Sequence, residues 1–157
     1  MKSNFAVLCF AFLFAGCGSL RPVVSHSQND LKSEVEAAFN DLVDAAKNGD
    51  IERYFSFFDQ DTFTALTADG STIATFDAFR ERVAPQLEFI ERYNSLEFDP
   101  VKVSVLDSSN AVLVNEYSAE VVLKSGDIVA ASGAGTQVWS KRTGVWKLVH
   151  VSDSIKR

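Results

Sequence analysis

Near the end of the chain, Asp153 and His150 carry a carboxylate and an imidazole, the usual groups for moving protons. They stand in Val145–Asp153, VWKLVHVSD, whose alternation reads as a β-strand. Residues three apart on a strand leave by opposite faces, so parity excludes a His–Asp dyad. Asp153 shares its face with Val149 and Val151, where burial would raise a carboxyl pKa toward that of a proton shuttle. His150 falls with Trp146 and Leu148 and reads as a satisfied histidine of a core or an interface. The other histidine, His26, lies far upstream, and both cysteines, Cys9 and Cys17, fall within the first seventeen residues. The body therefore offers no thiol chemistry, and no metal site is expected. No glycine-rich phosphate loop, G-x-S-x-G or H-E-x-x-H motif is present, and no cofactor is implied.

The elements that must position Asp153 are legible in the periodicity. A hairpin closes the chain, its arms separated by Lys141-Arg142-Thr143-Gly144. Upstream, Val35, Ala38, Phe39, Leu42, Val43 and Ala46 form the apolar stripe of a long first helix, with Asn29 or Asp30 as its cap and Asn48-Gly49 as its stop. Asp50 caps a short second helix whose Ile51, Tyr54, Phe55 and Phe58 turn inward. A short strand is predicted over 62–67. A third helix follows Thr75, carries Phe76 to Ile90, and should kink or divide at Pro85. The period then changes to two: strands are expected over 96–106 (bulged at Asp99-Pro100), 110–123 and 128–141, then in the closing arm. Ala130, Ala131, Gly133, Ala134 and Gly135 suit a sharp bend or a close approach by another chain. The expected fold is α+β, a cone-shaped, strongly curved antiparallel sheet of four long strands plus short ones, packed on three N-terminal helices.

The first sixteen residues read as an address. Lys2 precedes an unbroken apolar run, Phe5 to Phe14, too short to span a bilayer but suited to a signal peptide. Leu13-Phe14-Ala15-Gly16-Cys17 fits a bacterial lipobox. Residues 1–16 are thus expected to be a lipoprotein signal peptide, and 17–29 a lipidated Cys17 with a flexible tether. The folded domain is expected over 30–157. Gly18 after Cys17 favours the outer membrane, so the expected location is the periplasm-facing bacterial envelope. The net charge is −6, and no basic cluster exists to displace counterions from phosphate, which excludes nucleic acid as a partner. Membrane attachment would come from the lipid anchor only.

The element order and the closing pattern G-T-x-V-W (Gly135 to Trp139) … G-x-W-K-L-V-H-V-S (Gly144 to Ser152) resemble the nuclear-transport-factor-2-like superfamily, in particular its SnoaL-like and kinase association-domain branches. The helix-Asn48-Gly49-Asp50-helix opening is similar too. The resemblance covers about residues 31–154. It implies a cone pocket into which Asp153 points, lined by Tyr54, Phe58, Asn115, Tyr117, Gln137, Trp139 and Asp153. The superfamily holds isomerases, dehydratases, transport adaptors and oligomerisation hubs, so fold does not fix function. Three readings stay open. The first is non-catalytic binding of a small apolar ligand or an envelope protein partner, as a homodimer through an outer sheet face bearing the two Trp residues. The alternative is a SnoaL-like lyase or isomerase with Asp153 as general acid/base and Tyr54 or Tyr117 as oxyanion donor. The third is a purely structural subunit whose cone is filled by side chains.

Overall fold

The computed structural model describes residues 27–156. The expected signal peptide, Cys17, His26 and most of the expected tether lie outside the described residues.

Three helices, α1 (Gln28–Lys47), α2 (Ile51–Ser56) and α3 (Phe76–Phe89), combine with strands β1 (Thr64–Leu66), β2 (Thr72–Ile73), β3 (Ile90–Val105), β4 (Asn110–Leu123), β5 (Ile128–Ser140) and β6 (Lys147–Ile155). The strands form one curved sheet in the order β2-β1-β6-β5-β4-β3. Among the described residues no helix is long and apolar enough to cross a membrane.

Local chemistry sets the helix ends. The Oγ of Ser27 accepts the N–H of Asp30 (3.2 Å), and the Asp30 carboxylate accepts the N–H of Ser27 (3.1 Å). This reciprocal capping box starts α1 earlier than Asn29 or Asp30 could, and takes residues 27–29 out of the tether. Asn48 closes the helix, and Gly49 supplies the left-handed turn at φ +66°. Asp50 caps α2 through the Arg53 N–H, and Thr75 caps α3 through that of Ala78. Pro85 does not divide α3: the helix runs through it, with the ring on the exposed side.

The sheet corrects the sequence reading in three places. It is mixed, because β1 runs parallel to β6 (Thr64↔His150, Ala65↔Val151) while every other pairing is antiparallel. These two strands are joined through most of the molecule, so no hairpin forces them antiparallel. Next, β3 begins directly at Ile90, with register shifts at Ile90/Arg92, Tyr93/Ser95 and Phe98/Val101, the last at the expected Asp99-Pro100 bulge. Finally, the β5–β6 register slips between Val138↔His150 and Trp139↔Leu148, which leaves Val149 as a bulge. Strict alternation therefore fails in the closing arm. Leu148 and Val151 share the inner face, whereas His150 turns outward and its Nδ1 pairs with Thr64 Oγ1 at 2.8 Å. Both bulge-side residues precede Asp153, so His150 and Asp153 still face opposite ways.

The inner face of the sheet reads as cross-strand rows. One is Val101–Asn115–Gly135–Asp153, the next Val103–Leu113–Gln137–Val151, and the next Val105–Ala111–Trp139–Leu148. Against these rows α1 buries Leu31, Val35, Phe39, Leu42 and Val43, and α2 and α3 add Phe55, Phe76 and Phe79. Trp139 is 0% exposed, and Trp146, also buried, donates from Nε1 to Glu34 Oε2 on α1 (2.8 Å). Neither Trp is therefore available to the outer face. That face carries Lys102, Val114, Thr136 and Ser152 in one row, with Val114 44% exposed.

Candidate functional site

Between α1, α2 and the inner face of the sheet lies a cavity of about 240 Å³. Its walls are mostly apolar, with Phe39, Leu42 and Val43 from α1, Phe79 and Leu87 from α3, and Leu96 and Phe98 from β3. The chain has three tyrosines, Tyr54, Tyr93 and Tyr117, and all three reach this one cavity. Gln137 and Asp153 complete its polar groups. Among the described residues no lysine, arginine or histidine lines it. Few polar groups in an apolar cleft are the usual makeup of a small-molecule site.

The polar groups are positioned by the sheet. Gln137 sits in a central strand, and its Oε1 accepts the Nε1–H of buried Trp139 at 3.0 Å. An indole N–H only donates, so it must meet the oxygen of the amide and not the nitrogen. The Gln137 Nε2 is thereby left as a donor beside the cavity. Among the described residues no hydrogen bond engages the hydroxyls of Tyr54, Tyr93 or Tyr117.

Two glycines let side chains of β4 cross β5. A Cβ at Gly133 would lie 2.7 Å from the Tyr117 ring and 2.0 Å from the Ser154 carbonyl oxygen, so only glycine lets that ring lie over the strand. At Gly135 a Cβ would meet Asp153 Oδ1 at 3.1 Å and Asn115 Oδ1 at 3.3 Å. The close approach anticipated for this small-residue run is thus made by side chains of neighbouring strands. Asn115 is buried, and its Oδ1 has no partner among the described residues.

Asp153 stands at the rim, where β6 has run past the end of β1. Its residue surface as a whole is exposed. Its carboxyl, however, is recessed against the cavity wall, and burial pushes its pKa above the usual carboxylate range. Burial likewise raises the Tyr54 hydroxyl well above its ordinary value, with Asp153 and then Tyr93 adding to the effect. Tyr117 is raised by burial and then by Asp153, and Tyr93 by burial. Asp153 is thus electrostatically coupled to two tyrosine hydroxyls.

A family model described as SnoaL-like domain matches residues 35–156. The chain belongs to the SnoaL-like domain family. Solved structures of similar shape include a nuclear-transport-factor-2-like superfamily protein from Salmonella enterica serovar Typhimurium, 18% identical, with a TM-score of 0.72 over 83% of this chain and 94% of that one. Another is a candidate dehydratase of the same superfamily from Streptomyces avermitilis, 16% identical, with a TM-score of 0.72 over 83% and 99%. A third is the association domain of C. elegans CaMKII, 21% identical, with a TM-score of 0.64 over 80% and 96%. At these identities the likeness concerns the fold. A comparison with curated proteins finds no match.

In this SnoaL-like domain, five of the residues expected to line the cone do line the cavity: Tyr54, Phe58, Tyr117, Gln137 and Asp153. The other two do not. Trp139 lies two residues beyond Gln137 on the same face, sealed in the core in the row of Ala111 and Leu148. Asn115 occupies the correct face but packs down over Gly135, beneath the cavity wall. The sequence reading missed Tyr93, which it assigned to the link between helix and strand. A bulge at Tyr93/Ser95 breaks the alternation that would have revealed it.

A second polar cluster holds the domain's closing hairpin. Asp59 is 5% exposed; its Oδ1 accepts the N–H groups of Asp61 and Thr62 (both 3.2 Å) and Arg142 Nη2 (2.7 Å). Burial alone would raise its pKa, but the Arg142 guanidinium and these donors hold it below the usual range. The Phe57 carbonyl and the Asp59 N–H pair with Leu148, so the end of α2 is stitched to β6 beside the cavity floor.

Proposed function

We propose that this domain binds a small, largely apolar, ring-sized molecule in the cone cavity, while held in the bacterial envelope by a lipid on Cys17. One observation carries the binding reading: an apolar cavity into which all three tyrosines, one amide donor and one carboxyl converge, the hydroxyls unengaged among the described residues. At about 240 Å³ it exceeds the roughly 150 Å³ that accommodates benzene and falls below the range of about 300–1,000 Å³ typical of larger ligands. Native mass spectrometry of the full chain purified from its host should show a small-molecule adduct. Val151→Phe, which places a ring in the cavity, should lose it. Identical bare masses for both proteins would overturn the reading.

The address rests on the leader sequence. Cys17→Ser should move the protein from the membrane fraction to the soluble one, and unchanged fractionation would refute lipid anchoring. Self-association through the outer sheet face is supported by the association domains among the similar structures and by the open groove of about 490 Å³ that Pro100, Val114, Ala134 and Thr136 line there. A monomer in sedimentation at micromolar concentration would remove it.

A second reading, a lyase or isomerase acting next to a carbonyl, is favoured by the coupling of Asp153 to Tyr54 and Tyr117. In it the Asp153 carboxylate takes the proton from the carbon beside the carbonyl. A tyrosine hydroxyl donates to the oxygen on which negative charge develops. Asp153→Asn would then lower the rate by roughly a hundredfold or more. Unchanged turnover of any accepted substrate in that variant would end this version.

A further inference from the structure

We infer that Gln137, locked by Trp139, is the hydrogen-bond donor that selects the ligand, and that the cavity takes a neutral aromatic or alicyclic ketone or aldehyde. This inference rests on the binding reading above and adds the ligand's chemical class.

The lock follows from the 3.0 Å bond between Trp139 Nε1 and Gln137 Oε1. A glutamine amide ordinarily turns over to suit whatever it meets, presenting either a donor or an acceptor. Here the turned-over form would set an N–H against an N–H and leave a fully buried indole donor unpaired, at a cost of about 1–3 kcal/mol. The amide is therefore held with Nε2 outward, and the site offers a fixed donor. Gln137 lies in the middle of the sheet, opposite Leu113 and Val151, with its backbone paired on both sides, so the donor sits on a rigid element.

The rest of the lining fixes what that donor meets. Among the described residues no cation lines the cavity, so a carboxylate or phosphate would be desolvated without a counter-charge there and would face Asp153. Asp153 is the diagonal neighbour of Gln137 across β5–β6, and such positions lie roughly 7–8 Å apart on the sheet. That spacing brackets one ring: the carbonyl oxygen at Gln137 and an edge of the ring at the carboxyl. Trp139 touches no ligand; it is a positioning residue.

The test uses four compounds on one naphthalene body: 2-acetylnaphthalene, 2-ethylnaphthalene, 2-naphthoate and 2-(aminomethyl)naphthalene, titrated into the full chain. The ketone should bind roughly five- to tenfold tighter than the ethyl compound, the worth of one hydrogen bond, and the naphthoate most weakly. The Gln137 side-chain amide protons should shift downfield with the ketone and not with the ethyl compound. Gln137→Met, similar in volume, should abolish the ketone's preference over 2-ethylnaphthalene. Trp139→Phe should reduce the preference partway; Gln137→Met decides should that variant not fold. Equal affinity for the ketone and the ethyl compound would overturn the assigned donor while the cavity reading stood. Tightest binding of the ammonium compound would overturn it too, assigning recognition to Asp153 and the aromatic walls. Failure of all four to bind would remove the cavity reading and this inference with it.

Discussion

Glycines 133 and 135 lie two positions apart on the same strand face, yet they differ in what a methyl group would meet. At Gly133 the obstacle is the Ser154 carbonyl, 2.0 Å away, together with the Tyr117 ring. A backbone obstacle cannot rotate aside, so Gly133→Ala must part β5 from β6 and expel Tyr117 from its place. A loss of about 1–3 kcal/mol in urea denaturation is expected. At Gly135 the contacts are the side-chain oxygens of Asp153 and Asn115 at 3.1 and 3.3 Å, which can yield by a few tenths of an ångström. Gly135→Ala should cost less than Gly133→Ala, and a reversed order would refute this account of the crossing. Asp153 gives a pH-dependent prediction. Its folded-state pKa is raised, so between the unfolded value of about 3.9 and that higher value the folded chain holds more protons than the unfolded one. Stability attributable to this group therefore falls as pH rises through that window. Asp153→Asn, which cannot ionise, should melt higher than the parent at pH 7, and the difference should shrink toward pH 4. The same melting difference at both values would show that the carboxyl is not recessed.

At the scale of the element, the helices and hairpins were legible because their signals are local. Asp50, Thr75, Gly49 and Gly144 act within four residues of where they stand in the sequence. What could not be read depends on partners far away in the chain. The parallel pairing of β1 with β6 joins Thr64 to His150, and nothing in either segment names the other. The bulge at Val149 is visible only as a mismatch with Val138 and Trp139, yet it decides that Leu148 and not His150 joins the core. Trp139, on the same face as Gln137, falls one row further along, opposite buried Ala111, and so in the core. The Asp59–Arg142 contact spans eighty-three positions and was invisible for the same reason. It has a measurable role. Asp59 gathers two backbone N–H groups and a guanidinium that fasten the turn after α2 to the closing hairpin, so Asp59→Ala should cost about 1–3 kcal/mol in unfolding free energy. Because the folded-state pKa of Asp59 is lowered, its stabilisation is present above the unfolded value of about 3.9 and is lost as pH falls through the lower folded one. The penalty of Asp59→Ala should accordingly diminish in strong acid, and a penalty independent of pH would argue against the ion pair.

For the molecule as a whole, the open cone makes a prediction about where added volume is tolerated. A packed interior and a preformed cavity answer the same challenge differently. Ala111 is fully buried in the row of Trp139 and Leu148, and a larger side chain there has no space to enter. Ala111→Val should cost about 1–3 kcal/mol, the usual consequence of adding methyl groups to a dense core. Val151 lies one row along the same inner face, opposite Gln137, and borders the cavity. Val151→Phe adds more volume than Ala111→Val, but its ring can occupy space that holds no protein atoms and gain dispersion contacts with Phe98 and the wall from α1. Its stability should stay within about 1 kcal/mol of the parent, while binding of 2-acetylnaphthalene is lost. The two substitutions separate stability from occupancy. In a filled cone the larger residue would be the more costly of the two, and in an open one it is the cheaper. Urea denaturation of the pair, compared at equal m-value, measures this order directly. Should Val151→Phe prove as damaging as Ala111→Val, the domain is a solid wedge of side chains, and its role must be sought on the outer face of the sheet.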